Sequence, residues 1–109
     1  MRRYVCPTDT IAAPIERVWG LMTDPGLYDT WIDGRVERVA PPGRAQRGQI
    51  IDITTRGFGR RWSVQFRVLA VDPERHVFEL DVELPLGLKM HERMTAVALD
   101  AGHTRLAFG

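Results

Sequence analysis

A chain of 109 residues can build one core, and at that size it buries roughly 65% of the surface its unfolded form would expose. Hydrophobic content of 44% and charged content of 27% match an ordinary globular fold and exclude a disordered chain. Lys and Arg number 15 against 14 acidic residues, a net charge of +1, which supplies no global field for nucleic acid or an anionic membrane and argues against both as partners.

In chain order, Arg2 to Ile11 reads as a strand, with Tyr4, Val5, Thr8, Thr10 and Ile11 giving β-branched and aromatic character. Pro7 within it predicts an edge position or a bulge. The lone Cys6 forbids an intramolecular disulfide and reads as a small buried hydrophobe. With no signal peptide or long apolar segment, it favours a reducing, cytoplasmic setting.

A helix is predicted to start at Pro14, because proline suits a first helical position. Ile15, Val18, Trp19 and Met22 then form one apolar stripe, with Glu16 and Arg17 pointing away from it. Thr23 ends the run. Asp24 and Pro25 supply a second cap and a second first-position proline, opening a short helix that carries Leu27, Tyr28 and Trp31.

The remainder reads as strands: Gly34 to Ala40, Gln49 to Thr55, Arg60 to Ala70, His76 to Val82, Leu88 to Leu99 and Thr104 to Phe108. Alternation sets their register, since a one-residue slip would turn every apolar side chain outward. A four-residue loop at Arg56 to Gly59 pairs Ile53 with Trp62 and Ile51 with Val64. A five-residue loop through Asp72 to Arg75 pairs Val68 with Phe78, Phe66 with Leu80 and Val64 with Val82. A turn at Pro85 and Gly87 pairs Val82 with Leu88, Leu80 with Met90 and Phe78 with Glu92. One face becomes an apolar wall of Ile51, Ile53, Trp62, Val64, Phe66, Phe78, Leu80, Val82, Leu88, Met90 and Met94. The opposite face is charged, with Arg67 opposite Glu79, Asp81 opposite Lys89 and Glu79 opposite His91. The seven apolar residues of the two helices are too few to cover such a wall, which leaves a cavity or demands another covering element.

The N-terminal strand, the segment I-A-A-P-I-E-R-V-W-G-L-M-T-D-P, then Tyr28, Trp31 and a meander with a Gly-His-Thr-Arg-Leu turn resemble the START-like or SRPBCC superfamily from Tyr4 to Phe108. That group includes polyketide cyclase/dehydrase-like proteins, lipid-transfer domains and pollen allergens. The resemblance implies an α+β helix-grip fold: a curved antiparallel sheet of six to seven strands, two short helices after the first strand, and a ligand cavity. Members continue into a long C-terminal helix, which this chain, ending at Gly109, does not contain. We therefore expect residues 1–109 to be one START-like unit, incomplete at its C-terminus or self-associating as a homo-oligomer over the open sheet face.

The expected ligand is a small hydrophobic molecule, a lipid, quinone or polyketide. The expected contacts are Met22, Tyr28, Trp31, Ile53, Trp62, Val64, Phe66, Phe78, Leu80, Met90 and Met94. Glu92 is the candidate catalytic residue: a carboxylate on an apolar wall is pushed toward a pKa useful for acid or base work. The plainer arrangement is a bulge that turns it out toward Arg105, since buried unpaired carboxylates are rare. Three alternatives thus stay open: a binding module, a cyclase or dehydratase using Glu92 with Tyr28 or Arg93, and a chaperone-activator-like module docking through the charged face.

His91 and Glu92 are adjacent on a strand and point to opposite faces, so they cannot share a proton or a metal. His76 and His103 are scattered, and no metal or other cofactor is expected. Glu79, Asp81 and Glu83 alternate on one face, where Arg67 and Lys89 make a solvated ion-pair lattice the natural reading. The basic, aromatic tip Arg56 to Trp62 reads as an exposed turn without phosphate-loop glycine spacing. Nucleic-acid binding and membrane insertion are not expected.

Overall fold

The computed structural model describes residues 8–109. Strand β1 (Thr8–Ile11) leads into α1 (Ile15–Thr23), a 3-10 helix over Pro25–Thr30, and then β2 (Gly34–Ala40), β3 (Ile50–Gly57), β4 (Arg60–Asp72), β5 (Val77–Glu83), β6 (Lys89–Asp100) and β7 (His103–Phe108). The seven strands form one antiparallel sheet in the order β1-β7-β6-β5-β4-β3-β2. This is the expected helix-grip sheet with two short helices after the first strand, and no long helix occurs among the described residues. The readings of Cys6, Pro7 and the start of the first strand lie outside the described residues, although β1 itself is an edge strand.

Helix α1 begins one residue later than predicted. Pro14 is extended, at ψ 152°, and acts as the cap. Its carbonyl accepts the first helical bonds, from the amides of Arg17 at 3.0 Å and Val18 at 3.1 Å. The stripe is real: Val18, Trp19 and Met22 are buried against the sheet. Thr23 stops the helix by turning its hydroxyl back onto the Trp19 carbonyl at 2.8 Å, competing with the ladder as threonine does. Thr23 also receives Arg44 Nη2 on that hydroxyl at 3.1 Å and the Ala45 amide on its carbonyl at 2.7 Å, which fastens the end of α1 to the β2–β3 loop. Asp24 caps the next helix as expected, its Oδ1 accepting from Gly26 N at 3.0 Å.

Each meander turn falls further along the chain than predicted, and the partners move by two residues up to the bulge in β4. Ile53 pairs with Val64 and Thr55 with Trp62, because the β3–β4 turn is only Phe58-Gly59, both at positive φ as a type I′ turn requires. Phe66 pairs with Val82 and Val68 with Leu80, after which a bulge at Leu69 brings Val71 opposite Phe78. Val82 pairs with Met90, Leu80 with Glu92 and Phe78 with Met94. Two-residue slips preserve the face of every side chain. Ile51, Ile53, Val68, Phe78, Leu80, Val82 and Met94 are therefore buried on one face, with Val64 and Phe66 packed beside them.

The correction matters at the end of the wall. Leu88 falls in the turn and Met90 at the start of β6, opposite Val82, beyond the reach of β7, whose Phe108 pairs no further than Met94. Both are exposed, Met90 at 46%.

The charged face is re-paired in the same way: Arg67 lies opposite Asp81, Asp81 opposite His91, and Glu79 opposite Arg93. His91 reaches Glu79 through Nε2 at 3.3 Å, the expected pairing, and Asp81 through Nδ1 at 3.2 Å. These are half-exposed contacts of small individual worth.

Candidate ligand cavity

Between α1 and the sheet edge formed by β1, β7 and β6 lies a cavity of about 240 Å³, lined by Ile11, Val18, Leu21, Met22, Trp31, Met94, Leu106 and Phe108. Its parts are brought together by three periodicities. Val18, Leu21 and Met22 come from adjacent positions of α1. Leu106 and Phe108 alternate on β7 and stand opposite Ala96 and Met94. Ile11 closes β1 opposite Thr104, whose hydroxyl donates to the Ala13 carbonyl at 2.8 Å and so holds the β1–α1 link against β7. Every lining side chain is apolar, so the cavity can hold a guest by area burial and offers no side-chain hydrogen bond of its own.

Trp31 forms one side. Its Nε1 donates to the Leu21 carbonyl at 3.0 Å, which leaves the ring about half exposed at the cavity wall. Tyr28 packs edge-on beneath it, centroids 5.2 Å apart at 73°, and reaches Phe66 at 6.4 Å. Tyr28 is itself fully buried, its hydroxyl donating to the Met22 carbonyl at 2.7 Å. Burial first, then the nearby Asp24 carboxylate, pushes its phenol well above the ordinary tyrosine range. It supports the Trp31 side from beneath, with its hydroxyl committed to the Met22 carbonyl. Because the folded pKa lies above the unfolded one, this contribution to stability is whole below the unfolded value of about 10 and is lost as pH rises above it. Tyr28→Phe should cost about 1–2 kcal/mol by leaving the Met22 carbonyl unpaired, and should blunt the alkaline loss of stability, as read from urea midpoints measured between neutral pH and the onset of that loss.

Of the residues singled out from sequence, Met22, Trp31 and Met94 meet at this cavity. Ile53, Phe78 and Leu80 stand in the solid core, and Val64 and Phe66 are half-buried beside it. Trp62 lies toward the β3–β4 tip, where its Nε1 donates to the Gly57 carbonyl at 2.9 Å. Met90 is exposed. Glu92 is half-buried on the concave face opposite Leu80, with no cation within 4.0 Å among the described residues. It does not line the apolar cavity. The expected bulge turning it outward is absent from the β5–β6 pairing, which runs unbroken from Val77 to Glu83.

Ile11, Val18, Leu21, Leu106 and Phe108 were not among the expected contacts. The alternation of Thr104, Leu106 and Phe108 carried the signal for β7, whereas Leu21 lies off the stripe of α1 and gave none. Among the described residues no group of three His, Cys, Asp or Glu side chains could hold a metal.

A curved antiparallel sheet, two short helices laid on one face and an apolar hollow between them define a helix-grip protein. The family model for polyketide cyclase / dehydrase and lipid transport matches residues 7–108, and the chain belongs to that family. Among solved structures it is similar to the Zhui aromatase/cyclase of a Streptomyces strain, at 28% identity and a TM-score of 0.74 over 97% of this chain and 64% of that one. It thus spans just under two thirds of that enzyme's length. It also resembles norcoclaurine synthase from Thalictrum flavum in complex with dopamine and hydroxybenzaldehyde, at 17% identity and a TM-score of 0.65 over 95% of this chain and 65% of that one. Ara h 8.0201 gives 15% identity and 0.70 over 95% and 74%. These two likenesses speak to fold alone. No curated protein sequence matches the chain.

Proposed function

We propose that this protein binds a small hydrophobic molecule, a lipid, quinone or polyketide-like compound, between α1 and the β1-β7-β6 edge of the sheet. The observation that carries the reading is the all-apolar lining of the roughly 240 Å³ hollow, room for one or two rings or a short run of acyl chain. Burial there is worth about 25 cal/mol per Å² of apolar surface. The family's description, which pairs cyclase and dehydrase chemistry with lipid transport, supports the same class of guest.

A second reading, a cyclase or dehydratase acting on a folded polyketide, draws on Glu92. A half-buried carboxylate without a cationic neighbour among the described residues could move a proton for a guest that extends from the hollow along the concave face.

One titration separates the two. The neutral probe N-phenyl-1-naphthylamine should bind the wild-type chain with a fluorescence gain. Leu21→Trp, which fills the hollow from a half-buried position, should weaken it about tenfold or more. Glu92→Gln should leave affinity within about twofold. Probe binding unaltered by Leu21→Trp would remove the cavity from consideration. An intact affinity with turnover of a polyketide substrate reduced about 100-fold or more in Glu92→Gln would move the assignment to the enzyme.

A further inference from the structure

The β3–β4 hairpin carries a feature that its fold does not require. Arg60 to Val64 have no partner on β5, whose last paired residue, Glu83, lies opposite Gln65. On that side these five residues run on beyond the end of β5, with the β5–β6 turn packed against β4 at their base. At its apex Phe58 is 99% exposed with φ 53°, a left-handed position that Asn, Asp or Gly fills at lower cost. Immediately below, Arg56 faces Arg61 across the ladder, a like-charge pair that weakens a hairpin.

Arg60 lies over the Trp62 ring, 5.1 Å from its centroid, and the Trp62–Gly57 hydrogen bond braces the turn beneath. Among the described residues no carboxylate comes within 4.0 Å of Arg56, Arg60 or Arg61. These three border a surface hollow of about 520 Å³. Asp33 and Glu37 share the adjoining hollow with Arg35, Arg56 and Arg61. The neighbouring β5–β6 turn opens toward the same end of the sheet and exposes Leu86 at positive φ.

We infer that this tip docks on an anionic lipid bilayer, Phe58 entering the headgroup layer while Arg56, Arg60 and Arg61 meet lipid phosphates. Two locally unfavourable choices coincide at one apex, an aromatic in a left-handed turn position and two arginines face to face. Both become favourable against a surface that is anionic outside and apolar beneath. Single-stranded RNA would answer the charges but needs rings on which successive bases stack. Phe58 stands alone, and Trp62 is half-buried with Arg60 over it. The whole-chain charge of +1 conceals the patch because acidic residues elsewhere balance it. Docking is not spanning, for which no helix among the described residues is long and apolar enough. The inference stands apart from whatever occupies the cavity.

The test is co-sedimentation of the full chain with vesicles of phosphatidylcholine alone, or with about one third phosphatidylglycerol. Binding is expected only to the anionic vesicles and should weaken severalfold as salt rises to physiological strength. Phe58→Asn should lower the partition coefficient about tenfold or more while leaving Tm unchanged or raised, since Asn-Gly suits the turn. Arg56→Gln with Arg61→Gln should lower it about 25-fold. Equal partition to both vesicle types, undiminished binding by Phe58→Asn, or binding to a single-stranded RNA oligonucleotide without vesicle binding would overturn it.

Discussion

Phe78→Ala should destabilise the protein by about 3–5 kcal/mol and lower Tm by more than about 10 °C. Phe78 lies near the start of the central strand: β5 has three strands on either side of it. The side chain is 0% exposed, flanked on its face by Val71 of β4 and Met94 of β6. Strands on both sides hold the backbone in place, so the site cannot collapse into the space a phenyl ring leaves, and the cavity cost adds to the lost transfer energy. Since a domain of this size is stable by only about 5–15 kcal/mol, the variant should sit near its unfolding threshold at physiological temperature. The matched control is Leu86→Ala, at a residue 89% exposed, which should change stability by less than about 0.5 kcal/mol. Urea unfolding of the two variants checks the pair; a Phe78→Ala midpoint equal to that of the control would place the centre of the core elsewhere.

Gln49→Glu should be of similar severity for a different reason. Gln49 is 0% exposed, and its Nε2 donates to three backbone carbonyls of the β2–β3 loop, those of Pro41 at 2.9 Å, Gly43 at 3.1 Å and Arg44 at 3.3 Å. Its Oε1 has no partner among the described residues. One amide thus organises a loop whose own carbonyls converge. A carboxylate in that place would set negative charge against three carbonyl oxygens without water, at a cost of several kcal/mol. The group would be protonated more readily folded than unfolded. The pH-dependent part of the penalty is therefore absent below the unfolded glutamate pKa of about 4.3, grows as pH rises from there to the elevated folded value, and is constant above it. Stability of Gln49→Glu relative to wild type should accordingly improve on acidification, as seen in Tm between neutral pH and about pH 4. A difference that does not vary with pH would show that the carboxylate finds solvent.

Much of this could be read from the chain, because alternation reports faces directly. Alternation gives β2 its bounds, Gly34–Ala40, and puts Phe78, Leu80 and Met94 on the buried face even with their predicted partners two residues off. The mispairing has one physical source. Each of the three meander turns places a residue other than glycine at positive φ, Phe58, His76 and Leu86, so turn-residue preferences that look for Gly or Asn there put every turn too early in the chain. The bulge at Leu69 leaves no mark in the sequence, since both of its neighbours, Val68 and Ala70, suit a regular strand. Gln49 reads as the first residue of a strand, which in the structure begins at Ile50. Its inward direction follows from alternation with Ile51 and Ile53, but its polar identity masked its importance. The cavity was legible as a shortage of cover over the wall, not as a location: Leu106 and Phe108 were in a strand already recognised, yet nothing in the chain said that α1 would lie over β6 and β7.

The conservation of side-chain orientation under paired slips has a bearing on how this scaffold can vary. Its hairpins can be lengthened or trimmed in even steps while oil and charge keep to their own sides. An odd change exchanges the two unless an extra residue is absorbed within a strand, as Leu69 is absorbed in β4. Descendants or designs that alter a turn by a single amino acid should therefore carry a compensating kink somewhere along the adjoining ladder.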